Sequence, residues 1–145
     1  MTNKEILDGN KLIAEFLGFE FKNGVAQNEV FYTLEKEHPI YLQGYSYKCA
    51  KFHSSWDWMM PVIDKIESLE GNNPFKDNPK VKFQGDHVEI FWYSTYRGDC
   101  IYWKNYTGID NNTYQHKNQE DSRILAAFRA IIEFIKWYNK KNDKN

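Results

Sequence analysis

A chain of 145 residues is the length of one ordinary domain, and with 41% hydrophobic and 27% charged residues it is too apolar to belong among disordered chains. Its formal net charge of −1 excludes the whole-molecule positive field of a strongly basic nucleic-acid binder, so any such site has to be local. No run approaches the roughly 18 apolar residues needed to cross a bilayer, and the opening MTNKEILDGNKLIAEF lacks a continuous apolar signal core. These features lead us to expect a soluble, non-secreted, cytoplasmic protein with no membrane partner. Cys49 and Cys100 have no close metal-ligand spacing and are expected as reduced thiols; neither metal nor cofactor is expected.

The first element reads as a helix over Asn3–Leu17, with Thr2 and Glu5 spaced as a capping box and Gly18 placed to end it. Ile6, Leu7, Ile13, Phe16 and Leu17 give it an apolar flank interrupted by Gly9. Residues 19 to 52 switch to strand chemistry at 19–21, 30–34, 40–42 and 45–52, separated by KNG, EKEHP and QG. A second helix is expected from Ser54 or Ser55, closed by Gly71, with Pro61 past its first turn and so a source of a kink. Trp58, Met59, Val62, Ile63, Ile66 and Leu69 fall near helical spacing and are expected to face a sheet.

Further strands are expected at 81–83, 87–95 and 100–106. A polar loop at 107–121 follows, long enough to be either mobile or functional. A last amphipathic helix is expected from Ser122 to about Tyr138, capped by Asp121, with a flexible tail over 140–145. The whole reads as α+β: one domain over 1–139, with about three helices covering a mostly antiparallel sheet.

The segment FWYSTYRGDCIYWKNY, residues 91 to 106, carries the densest run of rings. Gly98-Asp99 suits a two-residue type II′ turn, a choice that pairs Arg97 with Cys100 and Tyr93 with Lys104. One face then collects Val88, Ile90, Trp92, Tyr96, Ile101 and Trp103. The other collects Glu89, Phe91, Tyr93, Thr95, Arg97, Cys100, Tyr102, Lys104 and Tyr106, a tyrosine-rich cationic face on which Tyr93, Arg97, Tyr102, Lys104 and Tyr106 are the candidate binding site. Such a face either binds a partner or is an ordinary half-exposed sheet surface lying under a loop.

Catalytic signals are weak. His38, His53, His87 and His116 show no ligand spacing, and Asp99 beside Cys100 raises a thiol pKa rather than lowering it. There is no GxGxxG, Walker loop or nucleophile elbow. Lys48, Lys51, Arg97 and Lys104 with Tyr93 and Tyr102 supply the ingredients of single-strand RNA binding without a recognised RNP sequence.

Three segments carry a resemblance: NKLIAEFLG at 10–18, FHSSWDWMMPVIDKIESLE at 52–70 and AIIEFIKWYN at 130–139. They resemble a group of small phage- and prophage-carried proteins with an N-terminal helix motif, an H-[ST]-S-W-D-W-L-M-P motif and a C-terminal E-F-I-K-W-Y-N helix. The resemblance covers fewer than about 40 residues, none of them in the aromatic hairpin, and it implies no activity and no catalytic residues. It implies a mobile-element context in which Trp56, Trp58, Trp137 and Tyr138 act as packing residues.

The functional expectation is therefore a non-enzymatic protein that binds and inhibits a host protein or nucleoprotein, as an anti-CRISPR or another anti-defence factor. The first alternative is a stand-alone single-stranded RNA-binding module. The second is a small histidine-dependent hydrolase or nuclease using His53, His87 or His116. The sequence sets no oligomeric state.

Overall fold

The computed structural model describes residues 1–31, 39–69, 79–84, 87–93, 100–107 and 119–142. The α+β class is the one found, and strand pairing is antiparallel in all three of the sheets among these residues. Two compact units, Met1–Val62 and Ile63–Asn145, divide the chain. The division falls inside a helix rather than at a linker.

In the N-terminal unit, helix α1 (Asn3–Leu17) has the bounds the sequence predicts. The Thr2 hydroxyl accepts from the Glu5 amide at 3.2 Å, and the Glu5 carboxylate accepts from the Thr2 amide at 2.7 Å. At the other end Gly18 adopts φ 110°, which places its N–H on the Glu15 carbonyl and the Phe19 N–H on the Ala14 carbonyl, both at 3.0 Å. That bonding pattern is a Schellman closure, and Phe19, which follows it, is buried. The buried face centres on Gly9, Asn10, Ile13 and Ala14, while Ile6, Leu7, Phe16 and Leu17 are half-buried. Gly9 thus belongs to the packed face that it was expected to interrupt.

Strand β1 (Phe21–Lys22) pairs with β2 (Val25–Ala26) around Asn23 and Gly24, both at positive φ as a type I′ turn requires. Asn28 ties this hairpin to the helix end: its Nδ2 donates to the Gly18 carbonyl and its Oδ1 accepts from the Glu20 amide, both at 2.8 Å. Strand β3 (Val30–Phe31) pairs with β4 (Pro39–Ile40). Residues 45–52 do not form the expected strand. They contain one turn of 3-10 helix at Tyr47–Cys49, because the Ser46 hydroxyl accepts from the Lys48 amide at 3.2 Å and offers the backbone a local alternative to a ladder.

Helix α2 (Trp56–Ser68) starts where the Ser55 carbonyl accepts from Trp58 and Met59, so Ser55 stands at the N-cap. It ends before the expected Gly71 and runs through Pro61, which is buried. Met59, Val62, Ile63 and Ile66 are buried as expected; Trp58 and Leu69 are half-buried.

The second unit holds strands β5 (Pro79–Gln84), β6 (His87–Tyr93) and β7 (Cys100–Thr107) in that order, with helix α3 (Gln119–Asn142) packed on β6 and β7. Pro79 opens an edge strand, a place where its missing N–H costs no ladder bond. Along β5, Lys80 and Lys82 are exposed while Val81 and Phe83 are half-buried, the period-two signature of a sheet with one covered side. The core of the unit includes Val88, Ile90, Ile124, Phe128, Ile131 and Phe134. Helix α3 begins three residues before its expected start, so Asp121 lies inside it rather than capping it. It also runs to Asn142, through the first residues of the expected tail, with Lys140 and Lys141 near its carbonyl end, where cations suit the helix dipole.

Candidate binding surfaces

The hairpin register differs from the one predicted. Tyr93 pairs with Cys100, Trp92 with Ile101, Phe91 with Tyr102, Ile90 with Lys104, Glu89 with Asn105 and Val88 with Tyr106. The predicted pairs Tyr93 with Lys104 and Arg97 with Cys100 are therefore not formed, and Arg97 lies outside the described residues. The register steps by one at Ile90/Phe91, leaving Trp103 as the unmatched residue of a bulge. Because cross-strand partners share a side of the pleat, Tyr102 takes a register position on the side of Phe91 and Tyr93. Lys104 and Tyr106 take positions opposite Ile90 and Val88, both buried. Of the predicted site residues within the described strands, Tyr93 and Tyr102 share one side of the pleat and Lys104 and Tyr106 take the other.

A physical reason accounts for the correction: strict alternation through 102–106 fails at a bulge, which single-sequence patterning does not reveal. A Gly-Asp pair does separate two partnered residues, but it is Gly85-Asp86, between Gln84 and His87.

The sequence reading passed over a second surface. Tyr41 is 80% exposed and Tyr45 61% exposed, flanking Leu42, which is fully buried. The turn that carries them is tightly bonded. Tyr45 N–H reaches the Leu42 carbonyl at 2.9 Å, the Tyr45 carbonyl accepts from Ala26 at 3.0 Å, and Gly44, at φ 82°, donates to the Ala26 carbonyl at 2.8 Å. Two tyrosines are thus held in solvent on a backbone stitched to β2. The signal available in the sequence was the YLQGY pattern, one apolar anchor between tyrosines beside a turn glycine. Next to them Tyr47 packs edge-on against Phe21 at 5.9 Å, with the Lys11 ammonium 5.7 Å from its ring centre.

The third constellation is polar. Asn10 is 1% exposed; its Nδ2 donates to His53 Nδ1 at 2.9 Å while its Oδ1 is buried without a hydrogen-bond partner among the described residues. An Nδ1 that accepts puts the proton of the neutral ring on Nε2. Burial lowers the pKa of His53 below the ordinary histidine value, and a protonated Nδ1 would meet the amide donor head-on. The Lys51 carbonyl shapes the turn beneath the ring by accepting from Ser54 at 3.1 Å and Ser55 at 2.9 Å. The Asn10–His53 bond joins the NKLIAEFLG segment to the FHSSWDWMMP segment, and the Phe52 ring, next to His53 in the chain, stands edge-on to Trp58 at 5.2 Å. Trp137 and Tyr138 lie 6.0 and 6.2 Å from the Phe134 ring.

Of the other histidines, His87 opens β6, and His38 and His116 lie outside the described residues. No group of three or more His, Cys, Asp or Glu able to hold a metal ion occurs among the described residues, and Cys49 is a free, exposed thiol. Lys48 and Lys51 are exposed on the N-terminal unit, whereas Tyr93, Tyr102 and Lys104 belong to the second. No described helix is long and apolar enough to cross a membrane.

The fold defines an α+β protein made of a turn-rich unit and a sheet-and-helix unit. No protein-family description matches the chain, and neither curated proteins nor solved structures give a match.

Proposed function

We propose that this protein is a non-enzymatic accessory factor of a mobile element that binds and inhibits a host defence component, in its sharpest form an anti-CRISPR acting on an RNA-guided nuclease or its nucleoprotein. The observation that carries the binding half of this reading is the pair of solvent-held tyrosines, Tyr41 and Tyr45, on a hydrogen-bonded turn. Large rings with polar tips on a pre-ordered backbone lose little entropy on contact, and tyrosine is among the residue types enriched at binding hot spots. The resemblance of residues 10–18, 52–70 and 130–139 to phage-carried proteins supports the mobile-element half. In this reading the helices are scaffold, and Tyr93 and Tyr102, which share one side of the sheet, supply further contacts.

The test is phage plating on cells whose CRISPR system targets that phage. Expression of the wild-type chain is expected to raise plating efficiency by at least about tenfold, and the double variant Tyr41→Ser, Tyr45→Ser is expected to lose most of that gain while keeping its melting temperature, since both rings are exposed. Unchanged plating with the wild-type chain against every defence system tried would overturn the inhibitor reading.

A further inference from the structure

Pairing with β5 extends the side on which the predicted register already placed Phe91, Tyr93 and Tyr102. Lys80 pairs with Phe91, and Phe91 pairs with Tyr102, so a lysine, a phenylalanine and a tyrosine occupy adjacent register positions straight across three strands. The next row is Lys82, Glu89 and Asn105, and Tyr93 lies two positions beyond Phe91 on the same side of the pleat. The opposite side of β6 holds Val88 and Ile90, both fully buried, and α3 packs on β6 and β7. Lys80 and Lys82, which belong to the same side as Phe91 and Tyr102, are exposed.

From this placement we infer that the Lys80–Phe91–Tyr102 side of the sheet is a binding platform for single-stranded nucleic acid. The register positions on that side contribute two lysines against the single carboxylate of Glu89, a local positive excess in a chain of net charge −1. Aromatic residues on adjacent strands at a spacing of about 5 Å suit consecutive unpaired bases, and edge lysines suit the phosphates that run beside them. Duplex nucleic acid would be disfavoured, because its bases are already stacked and unavailable to rings. This inference stands apart from the inhibitor reading, since it needs no host protein.

The test uses the full chain and fluorescein-labelled mixed-sequence RNA and DNA oligonucleotides, single- and double-stranded, titrated by anisotropy over a range of salt. Saturable binding of the single strands, weakening as salt rises, is expected. Lys80→Gln changes an exposed side chain and should leave the melting temperature in place while reducing the magnitude of the log K against log salt slope by about 1. Tyr102→Ala should weaken binding by about fivefold or more with that slope unchanged, and Tyr102→Phe should retain binding, because stacking needs the ring and not the hydroxyl. Absence of single-strand binding would overturn the proposal. So would binding indifferent to Lys80→Gln, or a homodimer that Lys80→Glu dissociates, which would give the face to a second copy of the chain.

Discussion

The two units of the molecule are held together by different means. In Met1–Val62 no described strand exceeds two residues, and order comes from side chains and glycines that bond the backbone directly: Thr2 and Glu5, Gly18, Asn28, Ser46. In Ile63–Asn145 the strands run six to eight residues against a 24-residue helix whose buried face is almost wholly apolar. The first unit adds these local bonds to buried residues of its own, among them Ile13, Leu42, Phe52 and Met59, whereas the described part of the second relies chiefly on area removed from water. Single substitutions should therefore do unequal damage in the two, and the inequality can be measured.

The largest effect is expected in the second unit. Phe128, fully buried in α3, has no polar group that could be rebonded, so Phe128→Ala should cost about 3–5 kcal/mol in urea unfolding. Asn10→Ala, the most buried polar position of the first unit, should cost about 1–2 kcal/mol. It loses the bond to His53 but also removes an acceptor that is already buried without a partner. A loss at Asn10 equal to that at Phe128 would break the comparison, because it would show that the polar pair bears as much of the fold as the apolar core.

The smallest effect is a pH dependence confined to the first unit. Burial lowers the folded-state pKa of His53, so the unfolded chain binds the proton more readily. The stability tied to the neutral ring is then fully present above about pH 6.5 and is lost as pH falls from there toward the lowered folded value. Unfolding midpoints of wild type and His53→Gln, measured from pH 8 to about pH 5, should converge on acidification. Parallel curves would show that the ring contributes no such linkage.

The same contrast explains what could be read from the sequence. Helix α1 was legible to the residue, because Thr2, Glu5 and Gly18 act on neighbours within a few positions. The burial of Met59, Val62, Ile63 and Ile66 followed from helical spacing for the same reason. Residues 45–52 misled because YSYKCAKF alternates like a strand, while the Ser46 cap and the positive φ of Gly44 act on single bonds that alternation cannot register. The β6–β7 register was not legible at all. It depends on which residues meet α3 and on a bulge at Trp103, both of which are non-local. Of the predicted site, Tyr93 and Tyr102 keep a common side with Phe91, Lys104 and Tyr106 are separated from them, and Lys80 joins that side only through the pairing of β5.

Helix α3, at 24 residues, is about 36 Å long, while the eight residues of β7 span only about 27 Å. Along its last turns the helix sets its own rings together, buried Phe134 beside Trp137 and Tyr138. Fraying there separates an indole from its aromatic neighbour, so in a variant whose other four tryptophans are replaced, local unwinding of the helix end can be followed by fluorescence.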